Sequence, residues 1–476
     1  MNWDEFRARG KDAADWAADY HANLRERPVR AQTKPGDILA QLPLSPPDAA
    51  QPVDDILADL ENTILPGMTH WQHPRFFAYF PANAAPVSVL AEYYVSAIAA
   101  QCMLWQTSPA ATELETRVCD WMRQAVGLPG GFAGVIQDSA STATLCAVLT
   151  MREKALDWAG NAKGLAGQPA LRIYCSAEVH TSIDRAIWIA GIGEANLVRI
   201  KTHGPTRGMD VDALGATIAA DRAAGHLPAG IIACVGGTSA GATDDISAVM
   251  DVAEAEGLYT HIDAAWAGSA MICPEFQAHW AGVDRADSVV LNPHKWLGAQ
   301  FDCTTHFLRD PTTLVKTLAI QPEYLKTHGA DGIINYSEWS VPLGRRFRAL
   351  KLWFLIRAHG LDGLREMIRN HVTWAQALAA RLDATADFEI VTQPMLSLFT
   401  FRYAPEGAKD IDALNQTLVN RINDDGRIYL TQTRIDGALV IRFQAGAFTC
   451  TAQDVDLAYD VICEMAQEMS RAVQRG

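Results

Sequence analysis

Between about residues 110 and 310 the chain alternates short, β-rich apolar runs with stretches of helical pattern. This alternation limits the fold more than any other feature. The clearest runs are Leu171–Cys175, Gly230–Val235, Leu258–Ile262 and Ser288–Leu291. Strands that alternate with helices predict an α/β domain built on a mostly parallel sheet. Sheets of this kind bind ligands beyond the carboxyl ends of their strands. The polar motifs described below all follow such a run or open a helix.

The flanks differ from this middle region. Phe6, Ala13, Trp16, Tyr20 and Leu24 share one helical face, and Pro28 is expected to end that helix. A Pro-rich stretch over 42–52 leads to a second helix that carries Ile56, Leu57, Leu60 and Ile64. Two such helices cannot bury both of their faces alone, so they are expected to pack on the rest of the molecule or on a second subunit. After about residue 365 the pattern is that of a smaller α+β domain, with a helix around Trp374–Leu382 and strands at Leu396–Phe401 and Ala438–Phe443. The expected division is therefore an N-terminal helical dimerisation segment (1–80), a large cofactor-binding domain (81–362) and a small C-terminal domain (363–476).

Charge and cysteine usage exclude some function classes. A formal charge of -15 over 476 residues should be repelled by nucleic acid and by anionic membranes. The nine cysteines are dispersed from Cys102 to Cys463, with no CxxC pair and no metal spacing. They read as reduced thiols, and no metal site is expected. The polar N-terminus and the lack of a long apolar run predict a soluble, cytoplasmic protein with no membrane partner.

Several motifs carry chemistry. In Asn292-Pro293-His294-Lys295-Trp296 the lysine lies just past an apolar strand. A lysine is ordinarily a solvated surface charge, but this setting suggests a partly desolvated amine. Desolvation lowers the ammonium pKa and suits the amine to Schiff-base formation. Asp263 ends the strand of His261-Ile262-Asp263-Ala264-Ala265. Its ordinary role would be a turn or helix cap, yet a carboxylate there can pair with the pyridinium nitrogen of pyridoxal 5′-phosphate (PLP), and the small Ala265 would let the ring lie flat. Ser139-Ala140-Ser141-Thr142 opens an apolar helix, which is either a plain Ser N-cap or an anion site for a phosphate. A similar small-residue loop, Gly236–Gly241, precedes Asp244. His180 is either a satisfied structural histidine or a ring-stacking, proton-transferring one. A phosphate loop, a stacking histidine, a strand-end aspartate and then a lysine form the order expected of a fold type I PLP enzyme.

With these residues in hand, the chain closely resembles the group II PLP decarboxylases, and among them the aromatic-L-amino-acid decarboxylases. The resemblance covers nearly the whole chain. It runs through His73–Pro81, Ser108–Glu115, Gly134–Gln137, the HIDAAWAGSA and NPHKW segments, and Pro342–Arg348. It implies the aspartate aminotransferase-like α/β fold and a homodimer with the active site at the subunit interface. It makes Lys295 the Schiff-base lysine, Asp263 the partner of the ring nitrogen, Ala265 a ring contact and His180 the stacking histidine. Ala140, Ser141, Asn292 and His294 become phosphate contacts, and Thr238 and Asp244 line the cofactor. Trp71, Tyr79 and Phe80 resemble the aromatic wall of a substrate pocket. Met103 would come from the partner subunit, and Gly344 fits an aromatic substrate. The run Asp331–Trp339 matches the mobile catalytic loop, with Tyr336 as the proton-donating tyrosine. The chain departs from the family pattern at Ala82, Asn83, Met103, Asp138 and Gly236-Gly237.

The implied function is decarboxylation of an aromatic L-amino acid to the arylalkylamine and carbon dioxide. Two rivals share the scaffold. One is an aromatic aldehyde synthase, and the other is a catalytically inactive PLP-binding regulatory homologue. A decarboxylase for acidic substrates would need a cationic slot, and Trp71–Phe80 offers only Arg75.

Overall fold

The computed structural model describes residues 1–320 and 333–475, with side chains through Arg471. It divides into two compact units. One comprises Ala82–Asn370 with Thr392–Leu396, and the other joins Met1–Pro81 to His371–Val391 and Ser397–Gly476. The N-terminal segment thus clusters with the C-terminal part of the chain.

The larger unit is built on a seven-stranded sheet. Its strands are β1 (Ala133–Gln137), β2 (Leu171–Ser176) and β3 (Leu197–Ile200), then, after the two-stranded ribbon β4 (Thr202–His203) and β5 (Gly208–Met209), β6 (Leu227–Cys234), β7 (Tyr259–Asp263), β8 (Ser288–Leu291) and β9 (Thr304–Leu308). The order across the sheet is β1-β9-β8-β7-β6-β2-β3. Pairing is parallel from β3 through β8, and β9 runs antiparallel to both of its neighbours. This is the mostly parallel α/β sheet expected of fold type I. Strands β7, β8 and β9 are buried along their whole length, as a sheet covered on both faces requires. Val289, Val290 and Leu291 have no exposed surface.

Helix Ala140–Ala155 follows β1 and packs its apolar side into a core with Ile173, Ile183, Ile187 and Ile232. Ser139 caps it, accepting a hydrogen bond from the Thr142 N–H at 3.2 Å. Sequence patterning missed β1, β3 and β9. These strands are short, and β9 carries Thr304, Thr305 and His306 where a buried strand would ordinarily be apolar.

A second sheet, of order β10-β11-β13-β12, is formed by β10 (Phe388–Met395), β11 (Leu398–Tyr403), β12 (Thr431–Ile435) and β13 (Ala438–Gln444), and β11, β12 and β13 lie wholly in the other unit. Phe399, Phe401, Ile441 and Phe443 pack there against Leu418, Ile422, Val461 and Ile462. The first helix runs Trp3–Ala22, with Asn2 capping the N–H groups of Asp4 and Glu5. It stops six residues before Pro28, and Leu24 is buried in the turn that follows. Buried Asp454 ties these parts together through Arg25 at 2.8 Å and Arg75 at 3.0 Å.

All nine cysteines are free thiols. Among the described residues no helix is long and apolar enough to cross a membrane, and no group of His, Cys, Asp or Glu has the makings of a metal site.

Candidate active site

Beyond the carboxyl ends of the central strands lies a cavity of about 180 Å³. Its lining includes Ala140, Ser141, His180, Thr238, Asp263, Ala265, Asn292, His294 and Lys295. Parallel strands bring these residues together although they are spread over more than 150 positions of sequence. β7 ends at Asp263, β8 delivers Asn292 and Lys295, β2 leads to His180, and β6 leads to Thr238.

The turn that carries Lys295 is held at several points. The Lys295 N–H donates to the Asn292 carbonyl at 2.9 Å, and the Asn292 N–H to the Ala265 carbonyl at 2.8 Å. Asn83 adds a clamp that the sequence did not announce. Its backbone N–H donates to the His294 carbonyl at 2.8 Å, and its side-chain amide donates to the Lys295 carbonyl. Trp296 beneath the turn is wholly buried, 5.6 Å from Trp266. Burial lowers the Lys295 ammonium pKa, and nearby Asp263 opposes the shift. The amine is therefore easier to deprotonate than a surface lysine, as a nucleophilic lysine requires.

Asp263 is 7% exposed. Its Oδ1 accepts the Ala265 N–H at 3.0 Å, which leaves Oδ2 with no hydrogen bond among the described residues. At other points of the lining, hydrogen-bond donors are left over. His294 Nδ1 accepts the Cys303 N–H at 3.0 Å, so the neutral ring carries its proton on Nε2. Asn292 Oδ1 accepts the Thr304 hydroxyl at 2.8 Å, so its Nδ2 is left to donate. Helix Ala140–Ala155 adds the N–H groups of its first turn. A carboxylate oxygen for a protonated ring nitrogen, together with a set of donors for a phosphate, fits PLP.

His180 stands exposed where it lines the cavity. Its Nδ1 accepts the Ser182 N–H at 3.1 Å and lies 2.9 Å from the Ser182 hydroxyl. A backbone donor aimed at Nδ1 fixes the neutral tautomer with its proton on Nε2. Although the residue as a whole is exposed, desolvation of its ring against the cavity wall lowers the His180 pKa in the same direction; Asp263 opposes this and Lys295 adds to it.

Tyr336, Asp244, Met103 and Gly344, expected in the site, do not line this cavity. Tyr336 was expected on a mobile catalytic loop. It sits instead in the short turn Tyr336–Trp339, 2% exposed, in an apolar cluster with Val135, Cys146 and Leu308. Its hydroxyl is 3.0 Å from that of Thr116 and donates to the Gly134 carbonyl at 3.4 Å. Held this way, the phenol is turned away from the cavity lining. Asp331 and Gly332 of the same run lie outside the described residues, as does Tyr324, the one tyrosine between 321 and 332.

Asp244 was expected to line the cofactor. It is 2% exposed and accepts the N–H groups of Cys234 and Met209, each at 2.7 Å. Burial pushes its pKa up to about 6 against these bonds. Asp244 braces the end of β6 from behind the lining residue Cys234.

Met103 and Gly344 belong to the larger unit and lie away from the cavity lining. The Met103 carbonyl accepts the Ser337 N–H at 3.0 Å, and Gly344 is exposed beside Gln101. Trp71, Tyr79 and Phe80 belong to the other unit. Trp71 stacks on Phe76 at 4.6 Å and on Tyr79 at 5.8 Å, and Phe80 is buried against Gly446. Sequence reasoning missed Ser182, Cys234 and Trp266 in the cavity lining. The Ser182 signal was present in its place two residues after His180.

The sequence model of the pyridoxal-dependent decarboxylase conserved domain matches residues 35–404. The chain belongs to the pyridoxal-dependent decarboxylase family. It is 38% identical to an aromatic-L-amino-acid decarboxylase of Mus musculus, over 99% of each chain. It is 35% identical to a phenylacetaldehyde synthase of Petunia hybrida, over 98% of this chain and 96% of the relative. The crystal structure of Oryza sativa TDC with PLP and tryptamine superposes with a TM-score of 0.95 at 35% identity, covering 98% of this chain and 99% of that one. Membership makes this decarboxylase a PLP-dependent carboxy-lyase of fold type I.

Proposed function

We propose that this decarboxylase converts an aromatic L-amino acid into the corresponding arylalkylamine and carbon dioxide. The observation that carries the reading is the complementary cavity: an unpartnered carboxylate oxygen on Asp263, Nε2–H on His294 and Nδ2–H on Asn292, all around the Lys295 amine. When bound, PLP supplies the electron sink for the bond between Cα and the carboxylate.

The protein's own residues do the rest. Lys295 would hold the cofactor through its amine, which burial makes easier to deprotonate. Asp263 keeps a proton on the ring nitrogen. Ala265 would leave room for the ring, and His180 would cover its face with the proton on Nε2. Ala140, Ser141, Asn292 and His294 would hold the phosphate, and Thr238 would border the ring. Trp71, Tyr79 and Phe80 are the candidate aromatic wall, since a stack of this kind favours a flat apolar side chain. Met103 is the candidate contribution of a partner subunit, and Gly344 is the candidate position that suits an aromatic substrate.

A homodimer is supported by the helix Pro86–Ile98, which exposes Leu90, Tyr93, Tyr94 and Ile98 at helical spacing. A reducing, cytoplasmic setting agrees with nine unpaired thiols.

The test is a product assay on purified, PLP-loaded enzyme with aromatic L-amino acids, histidine and glutamate. Amine in step with carbon dioxide from an aromatic substrate, lost in Lys295→Ala, is the expected result. Aldehyde with ammonia and peroxide would move the enzyme to the aldehyde synthases, whose Petunia hybrida member is nearly as similar. No turnover together with retained PLP would favour the inactive regulatory homologue.

A further inference from the structure

Under the cavity lies a chain of four polar side chains that the reaction does not use. Thr144, His261, Ser288 and His306 each have no exposed surface. The Thr144 hydroxyl is 3.3 Å from His261 Nε2. His261 Nδ1 is 2.7 Å from the Ser288 hydroxyl, which is 2.8 Å from His306 Nε2. The chain ends there, because His306 Nδ1 is buried with no hydrogen-bond partner.

That orphan nitrogen sets the direction of the whole chain. A buried N–H without an acceptor costs more than a bare lone pair, so the His306 proton sits on Nε2 and is donated to Ser288. Ser288 has one proton, which goes to His261 Nδ1. The His261 proton is then on Nε2 and points at Thr144. Burial keeps both rings neutral, holding the His306 pKa down at about 3 and that of His261 well below its usual value.

Position gives the chain its meaning. His261 faces Ser288 directly in the β7–β8 register. Asp263 is two residues further along β7, and side chains two apart on a strand share a face. Thr144 is four residues into helix Ala140–Ala155, on the face of Ala140, which lines the cavity. Thr144 and His261, the first two members of the polar chain, are therefore each one structural step from a cavity-lining residue, Ala140 on the helix and Asp263 on the strand. An interior made only of apolar side chains would hold helix and sheet together without fixing their register, whereas hydrogen bonds with a single allowed direction fix it.

We propose that Thr144, His261, Ser288 and His306 form a directed relay that sets the helix Ala140–Ala155 against β7. His261 is its positioning residue, and the relay thereby holds the phosphate end and the carboxylate end of the cofactor cradle in register. The inference rests on the reading of the cavity as the PLP site.

The test titrates apo-protein with PLP and follows the visible band of the bound cofactor, with the melting temperature as control. Thr144→Val removes one hydroxyl without opening a cavity. It should weaken PLP binding about three- to tenfold and alter the band. Thr144→Ser, which keeps the hydroxyl, should restore both. Ser288→Ala breaks the relay away from the helix and should move the same two readouts. Variants that melt earlier but bind PLP with unchanged affinity and band would overturn the relay and leave the cofactor site standing. Failure of the unsubstituted protein to bind PLP would overturn the cavity reading, and the relay with it.

Discussion

The backbone N–H of Cys303 donates to Nδ1 of His294 at 3.0 Å, so this buried imidazole carries its proton on Nε2 and is neutral. Burial, helped by nearby Lys295, pushes its pKa down to about 3. His73, His306 and His371, also buried, are held down at about 4, 3 and 3. In each case the unfolded chain takes up the proton first, from its ordinary pKa of 6.5. Stability is thus complete above pH 6.5 and is lost as the pH falls toward 3. Each such group costs about 1.4 kcal/mol per pH unit below that onset. The melting temperature, measured from pH 8 down to pH 5, should fall steadily once the pH passes below 6.5. A flat profile would contradict the neutral assignments.

Asp263→Asn keeps the shape of the side chain and removes its charge. The amide cannot hold a proton on the ring nitrogen, so kcat should fall by about a hundredfold or more while the folded structure persists. Steady-state rates and circular dichroism on the PLP-loaded variant check this. A variant with near-native kcat would remove Asp263 from its role.

Tyr336→Phe separates the loop-tyrosine expectation from the buried anchor that the structure contains. Loss of the bonds to Thr116 and the Gly134 carbonyl should cost about 1–2 kcal/mol of stability. Turnover per bound PLP should stay within about twofold. Denaturant unfolding and single-substrate kinetics measure the two effects, and a collapse of kcat without loss of stability would reinstate Tyr336 as the proton donor.

Arg345 and Glu115 form a buried ion pair at 2.6 Å, each side chain 3% exposed. Arg345 also donates to the Ile136 carbonyl at 2.7 Å, and Glu115 accepts the Ile136 N–H at 2.9 Å. Arg345→Met strands a buried carboxylate and should cost about 3–5 kcal/mol. Glu115→Gln/Arg345→Met, which leaves neither charge unpaired in the same way, should recover part of that loss in urea unfolding. Equal losses in the single and double variants would show that the pair does not act as a unit.

Much of this protein was legible before any fold was built. The apolar runs that became β2, β6, β7 and β8 are local patterns, and the residues that end them are fixed by chain position. Lys295 and Asp263 therefore came out as candidates, because a strand of known length puts its next residues at its own carboxyl end, whereas Asn292 was implied by the family resemblance. β9 was hidden by its threonines and His306, whose partners lie on other strands. The β10 and β12 strands escaped because neither is uniformly apolar, the burial of each being set by its neighbours.

The sequence by itself determined the α/β class, the order of the chemical groups and the lysine, since these depend on periodicity and on residue type. Only the tertiary structure decided which candidates meet. Tyr336 and Asp244 have the right chemistry, but packing turns one into an apolar cluster and gives the other two backbone N–H groups to satisfy. Asn83, Ser182 and the Thr144–His306 relay look ordinary in sequence and gain their roles from partners up to 212 residues away, as between Asn83 and Lys295. Hydrogen bonds act over about 3 Å of space whatever the separation along the chain, and that distance is set by folding alone.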